Sequence, residues 1–136
     1  MAAPATFAAM ALAAAPAPAN ALDGHWMNPA HSVIVQLAPC GNAVCGTVTW
    51  ASEEAQQDAR RGVDKLVGAQ LLTGFQRVSN GSWRGKVFVP DLNIRVTGKI
   101  RPLSERQLKV SGCALGGSLC RSQIWQRSDK AVAAVD

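Results

Sequence analysis

The sequence predicts an all-β fold: a single antiparallel up-and-down β-barrel of seven or eight strands with one short surface helix. Three observations predict it. Short runs of alternating apolar and polar residues recur, with a turn signal about every 8–12 residues. Glycines 46, 74, 85, 98 and 112 fall inside those runs. Interior strand glycines mark bulges and bends, and their repetition suits a tightly curved barrel. Finally, the runs follow one another through short turns without long crossovers, which favours an up-and-down order.

The elements follow in order. Gly24-His25-Trp26 opens the domain, and Asn28-Pro29 turns the chain. Residues 31–38 (HSVIVQLA) form a strand rich in β-branched residues. Residues 44–51 alternate Val44, Gly46, Val48 and Trp50 against Cys45, Thr47 and Thr49, a half-buried strand. Ser52 then caps a helix over residues 52–61, with Glu53 and Glu54 in its first turn and Arg60 and Arg61 in its last. Gly62 ends it. Its apolar side chains are no larger than alanine, so it is expected to lie on the surface.

Strand signals resume at 69–78, and Asn80-Gly81 is a hairpin turn signal. Residues 82–89 alternate Trp83, Gly85, Val87 and Val89 against Arg84, Lys86 and Phe88. After a turn at 90–93, Ile94, Val96, Gly98 and Ile100 alternate against Arg95, Thr97 and Lys99. A turn is expected at 102–106, a strand at 107–114, and a closing strand at 119–127.

The chain has 136 residues, so one domain is expected, over 22–130. The first 21 residues carry no charge, are mostly alanine, and end in Ala19-Asn20-Ala21, a small-residue cleavage pattern. They read as a signal-peptide-like segment that lacks the usual basic start; an Ala/Pro tail is the alternative. Residues 131–136 read as a flexible tail. The expected localisation is periplasmic or secreted, peripheral to a membrane at most.

The 14 Lys and Arg against nine Asp and Glu give a formal charge of +5, all of it after residue 21. This reads as a solvated basic surface, with attraction to anionic partners as the sharper reading. No basic run is interleaved with aromatics and there is no tyrosine, so nucleic acid is not an expected partner.

Cys40, Cys45, Cys113 and Cys120 form two close pairs flanking turn residues. Facing positions in a tight hairpin bring Cβ atoms to about 4.5–5.5 Å, within adjustment of disulfide geometry. Local pairing, 40 with 45 and 113 with 120, is the economical connectivity; linkage between the hairpins stays open. The gaps are four and six residues, against the two to four usual between paired zinc ligands, so the second pair falls outside that spacing, and an exported chain meets an oxidising compartment.

Taken together, Gly24-x-Trp26, Cys45-Gly46, Gly68-x-Gln70-Leu71-Leu72 with Gly74-Phe75, the stretch Trp83 to Pro90, and Gly112-Cys113 through Ser122-Gln123-x-Trp125 resemble an uncharacterised bacterial secreted family, domain of unknown function 2147. The resemblance covers nearly all of the chain after residue 21. It implies a small envelope protein with a lipocalin-like barrel. Lipocalins carry Gly-x-Trp on the first strand and a late arginine that covers the tryptophan. By that resemblance Gly24, Trp26, Trp125 and Arg127 or Arg121 are expected to close the barrel. The chain is short for a lipocalin, so its cavity is expected to be small or filled.

If the barrel is hollow, Trp50, Trp83, Phe88 and Phe75 are candidates to line it. His25 and His31, the two histidines, read as residues flanking a loop rather than metal ligands. No nucleophile–base pair or carboxylate pair stands in a recognisable catalytic pattern, so neither an enzyme nor a cofactor is expected. The expected role is binding of a lipid or small apolar or amphipathic ligand by a monomer, with a basic mouth favouring an anionic head group. A solid barrel acting as a structural or protein-interaction module is the alternative.

Overall fold

The computed structural model describes residues 21–114 and 117–128. The signal-peptide-like segment apart from Ala21, the 131–136 tail, and Leu115 and Gly116 of the last turn lie outside them. Eight antiparallel strands close into a barrel in sequence order. They are β1 (Gly24–Met27), β2 (Val33–Cys40), β3 (Ala43–Ala51), β4 (Gln70–Arg77), β5 (Trp83–Val89), β6 (Ile94–Ser104), β7 (Gln107–Ala114) and β8 (Leu119–Arg127). A helix, α1 (Glu53–Asp58), and a 3-10 turn at Ala59–Arg61 lie between β3 and β4.

Alternation sets which residues enter the barrel. On β2 and β3, Val35, Leu37, Val44 and Val48 point inward and are buried. Bulges bend the wall at several points, and those on β3 and β4 decide which side chains turn inward. Ile34 pairs with Trp50 while Val35 pairs with Val48, so Thr49 is the extra residue and Trp50 is turned to the outer face. On β4, Gly74 takes φ 66°, and both Leu72 and Phe75 are buried despite being three apart. A strand without that bulge would send one of them outward.

In an up-and-down barrel the turns alternate between the two ends. The N-terminal segment and the β2–β3, β4–β5 and β6–β7 turns share one end. The β1–β2 loop, α1, and the β5–β6 and β7–β8 turns share the other. The first end is filled. Trp26, Phe75, Ile100 and Leu108 are fully buried there, joined by Leu22 from ahead of β1.

The expected turn at 102–106 is shorter than the sequence implies. β6 runs through Pro102, which pairs with Leu108, and the register is irregular between Pro102 and Ser104. A proline is tolerated where the ladder is already broken and its missing N–H leaves nothing unpaired.

Ser52 caps α1: its Oγ accepts from the amide of Ala55 at 3.1 Å. None of the six helical residues is buried, but Ala59 just beyond them is. The connection that follows turns back to the wall, where Val48 and Gly68 exchange backbone hydrogen bonds with Ala69 and Val48 and Leu66 is buried.

Cys40–Cys45 and Cys113–Cys120 are disulfide-bonded, one staple at each end of the barrel. The sulfurs are therefore not thiolate ligands. With sequence separations of 5 and 7, replacing either pair by serines is expected to cost about 2–2.5 kcal/mol in the chain-entropy model. The two losses should add, because the hairpins share no partners. Urea denaturation of the two double variants and the quadruple variant measures this; a negligible change in midpoint would contradict it.

Candidate functional site

The closed end is built around Trp26. Its indole Nε1 donates to the carbonyl of Leu22 at 2.8 Å, and the Arg127 guanidinium lies 4.2 Å from the ring centroid. Arg127 also spans the seam. Its Nη1 donates to the Asp23 carbonyl at 2.8 Å and its Nε to the Glu105 carbonyl at 2.7 Å. These contacts matter because β1 and β8 share only two register pairs, Trp26 with Arg127 and Met27 with Gln126. Gly24 leaves room for the guanidinium: a Cβ there would collide with Arg127 Nη1, and its φ of 131° disfavours any side chain. Trp125 is nine-tenths buried, with its Nε1 donating to Gln123 Oε1 at 2.8 Å.

Above this plug the barrel is hollow, with a cavity of about 610 Å³ open at the other end. Such a volume lies within the roughly 300–1,000 Å³ of small-molecule sites. Val35, Leu72, Val87, Val96 and Val110 supply apolar walls, and Trp125 lies toward the floor. The premise of a solid barrel is therefore corrected. The strand glycines explain where filling stops. Phe75 occupies the space that Gly85 and Gly98 leave empty, whereas a Cβ at Gly112 would meet only Val96 at 3.2 Å and the Thr97 carbonyl at 3.9 Å.

Arg121 does not join the closure. It lies on β8 opposite Gly112, two residues toward the mouth from Gln123, and lines the cavity. Trp125, Gln123 and Arg121 share one strand face, so only the first reaches the plug. Arg121 is the one cation lining the cavity among the described residues, and Glu54, Asp58 and Asp91 border the mouth. The expected basic mouth is thus corrected to a dipolar one. The carboxylates come from α1 and the β5–β6 turn, and the guanidinium comes from β8, well round the ring from them.

Of the four aromatic candidates, Phe88 alone borders the cavity. It sits at the rim with the Arg95 guanidinium 4.5 Å from its ring centroid. Trp50 faces outward through the Thr49 bulge, Phe75 is fully buried in the plug, and Trp83 packs against the core. Sequence reasoning missed the helix as a mouth element: Ser52, Glu54, Ala55 and Asp58 all line the opening. Gly62 fixes its far end, since a Cβ there would press on Pro90 and Phe88. Asn28 shapes the opposite loop, its Oδ1 accepting from the amides of Ser32 and Val33. Among the described residues no three His, Cys, Asp or Glu group as a metal site.

An eight-stranded up-and-down barrel, plugged at one end by a Trp–Arg pair and hollow at the other, is a lipocalin-like barrel. The solved structure of protein HP1028 from Helicobacter pylori, described as belonging to the lipocalin family, is similar to it. The TM-score is 0.64 at 13% identity, over 84% of this chain and 88% of that one. No curated protein sequence gives a significant match. The chain belongs to the family of uncharacterized proteins conserved in bacteria, DUF2147, whose sequence model matches residues 24–127.

Proposed function

We propose that the protein is a non-enzymatic binding protein of the periplasm or exterior, taking an amphipathic molecule tail-first into the barrel. The observation that carries this is the cavity of about 610 Å³, with apolar walls and Arg121 as the cation beside its opening. Each methylene removed from water contributes about 0.8 kcal/mol, offset by the cost of association and ordering. Arg121 would orient an anionic head, while Glu54, Asp58 and Asp91 disfavour that charge on the other side of the mouth. The lipocalin-like fold supports a binding role, and two disulfides support a place outside the reducing cytosol.

A matched pair of straight-chain probes, a fatty acid and the alcohol of equal length, tests this on delipidated protein by calorimetry. Both are expected to bind, the acid more tightly. Arg121→Gln should remove the acid's advantage and leave the alcohol unchanged. Gly112→Leu, which projects a side chain into the cavity, should weaken both at least tenfold. Failure of the wild type to bind either, or full binding by Gly112→Leu, would sink the proposal.

A further inference from the structure

The charge of this chain is sorted by element. None of the eight strands contains an acidic residue. The acidic residues of the described chain all lie in the segment before β1, in α1, or in loops and turns. Cations, in contrast, concentrate on the outward positions of three adjacent strands. Arg84 and Lys86 of β5, Arg95, Lys99 and Arg101 of β6, and Lys109 of β7 are all exposed. The register packs like charge against like charge. Arg84 lies directly opposite Lys99, and Arg101 directly opposite Lys109. Directly opposed like charges destabilise a sheet. With strands about 4.8 Å apart and outward residues about 6.8 Å apart along each strand, six cations share one shallow face. An anion laid across it would relieve their repulsion.

At the mouth this face runs into Leu92, Ile94 and Leu119, which are 62%, 39% and 50% exposed and border the cavity opening, with Asp91 beside Leu92 in the same turn. Cations on a flank continuous with exposed apolar residues at a rim match a lipid bilayer, with anionic head groups outside and acyl chains beneath. A nucleic acid would call for stacking aromatics among the cations. The aromatic touching this face is Phe88, and Arg95 covers its ring.

We propose that the outer face of β5–β7 docks the protein on an anionic lipid surface, with Leu92, Ile94 and Leu119 seated at the head-group boundary and the cavity mouth turned toward the membrane. The docking stands on the charged face and the rim, independently of what the cavity holds. Joined to the proposed function, it makes the bilayer the source or destination of the amphipathic ligand.

The test is sedimentation with vesicles of phosphatidylcholine alone and of phosphatidylcholine with a minority of phosphatidylglycerol. Wild-type protein is expected to bind the second and not the first, and to be released in about 1 M salt, where the Debye length is about 3 Å. The triple variant Lys86→Gln/Lys99→Gln/Arg101→Gln should lose about a hundredfold in partitioning, about fivefold for each cation removed. Its melting temperature should be unchanged or higher, since it loses like-charge contacts. Arg60→Gln/Arg61→Gln/Lys65→Gln, of equal net charge and placed between α1 and β4, should keep most of the binding. Leu92→Ser/Leu119→Ser should weaken binding without changing its salt dependence.

No binding to anionic vesicles overturns the proposal. So does equal loss in the two charge variants, or tighter binding to a short DNA duplex than to vesicles. Probe binding in the cavity is measured on the same variants. If it persists while vesicle binding is lost, the face is separate from the pocket; if vesicle binding persists in Gly112→Leu, docking survives failure of the cavity reading.

Discussion

Trp26→Ala is expected to destabilise the barrel by about 3–5 kcal/mol, the range for removing a large buried aromatic. Trp26 is fully buried, and its indole carries two separate duties. Its Nε1–H satisfies the carbonyl of Leu22, so that the segment ahead of β1 is drawn over the closed end. Its ring is also the surface on which Arg127 rests, and a cation on an indole contributes about 0.5–2 kcal/mol. Alanine removes both and leaves the guanidinium above a void. The loss falls on the weakest seam of the barrel, since β1 and β8 share two register pairs while β7 and β8 share eight. Arg127→Lys should cost less, about 1–2 kcal/mol, because one ammonium cannot bond both the Asp23 and Glu105 carbonyls and also lie flat on the ring. Chemical denaturation of both variants measures this. A change below about 1 kcal/mol for Trp26→Ala would remove Trp26 from the role of plug.

The parts of the fold legible in the sequence are those decided by local rules. Alternation placed Val44, Gly46 and Val48 inside, and a serine followed by two glutamates announced the start of α1. Short cysteine gaps across turn residues favoured the pairing that the hairpins adopt. Bulges were not legible. Trp50 continues the parity of Val48 in the sequence, and only the pairing of β3 with β2 makes Thr49 the extra residue that turns Trp50 outward. Distance along a strand was not legible either. Arg121 and Arg127 have the same parity, and both suited a tryptophan partner. Six residues of β8 separate the closed end from the mouth side of the cavity wall, about 20 Å at about 3.3 Å per residue, so one binds Trp26 and the other lines the hollow beside its opening. Arg84, Lys86, Arg95 and Lys99 fall on the polar parity of β5 and β6 in the sequence, but the charge read there as a solvated basic surface and not as one face. Its concentration depends on register, because only pairing sets Arg84 opposite Lys99 and Arg101 opposite Lys109.

Phe75→Ala is expected to cost about 3–5 kcal/mol, and its combination with Gly98→Ala less than the sum of the two separate costs. The reason lies in how the barrel is divided. A closed eight-stranded barrel has an interior just wide enough for side chains to fill, so an open cavity in one half needs a dense plug in the other. Phe75 provides that density because its neighbours have no side chains. A Cβ at Gly85 would come within 2.6 Å of the Phe75 ring, and one at Gly98 within 3.1 Å. Gly98→Ala alone therefore overpacks the site, at about 1–3 kcal/mol, against both Phe75 and a methyl of Val87. With the ring gone, Val87 can turn into the vacated space and the new methyl fills part of the void. A coupling of about 1 kcal/mol or more is expected for residues in such contact. Gly85→Ala is the contrasting case. Its Cβ would also meet the Thr73 carbonyl at 2.6 Å, a backbone atom that removal of Phe75 does not displace, so rescue there should be small. Denaturant midpoints for the two double-mutant cycles separate these outcomes. Strict additivity at Gly98, or equal rescue at both glycines, would mean that Phe75 is not what divides the filled half of the barrel from the hollow one.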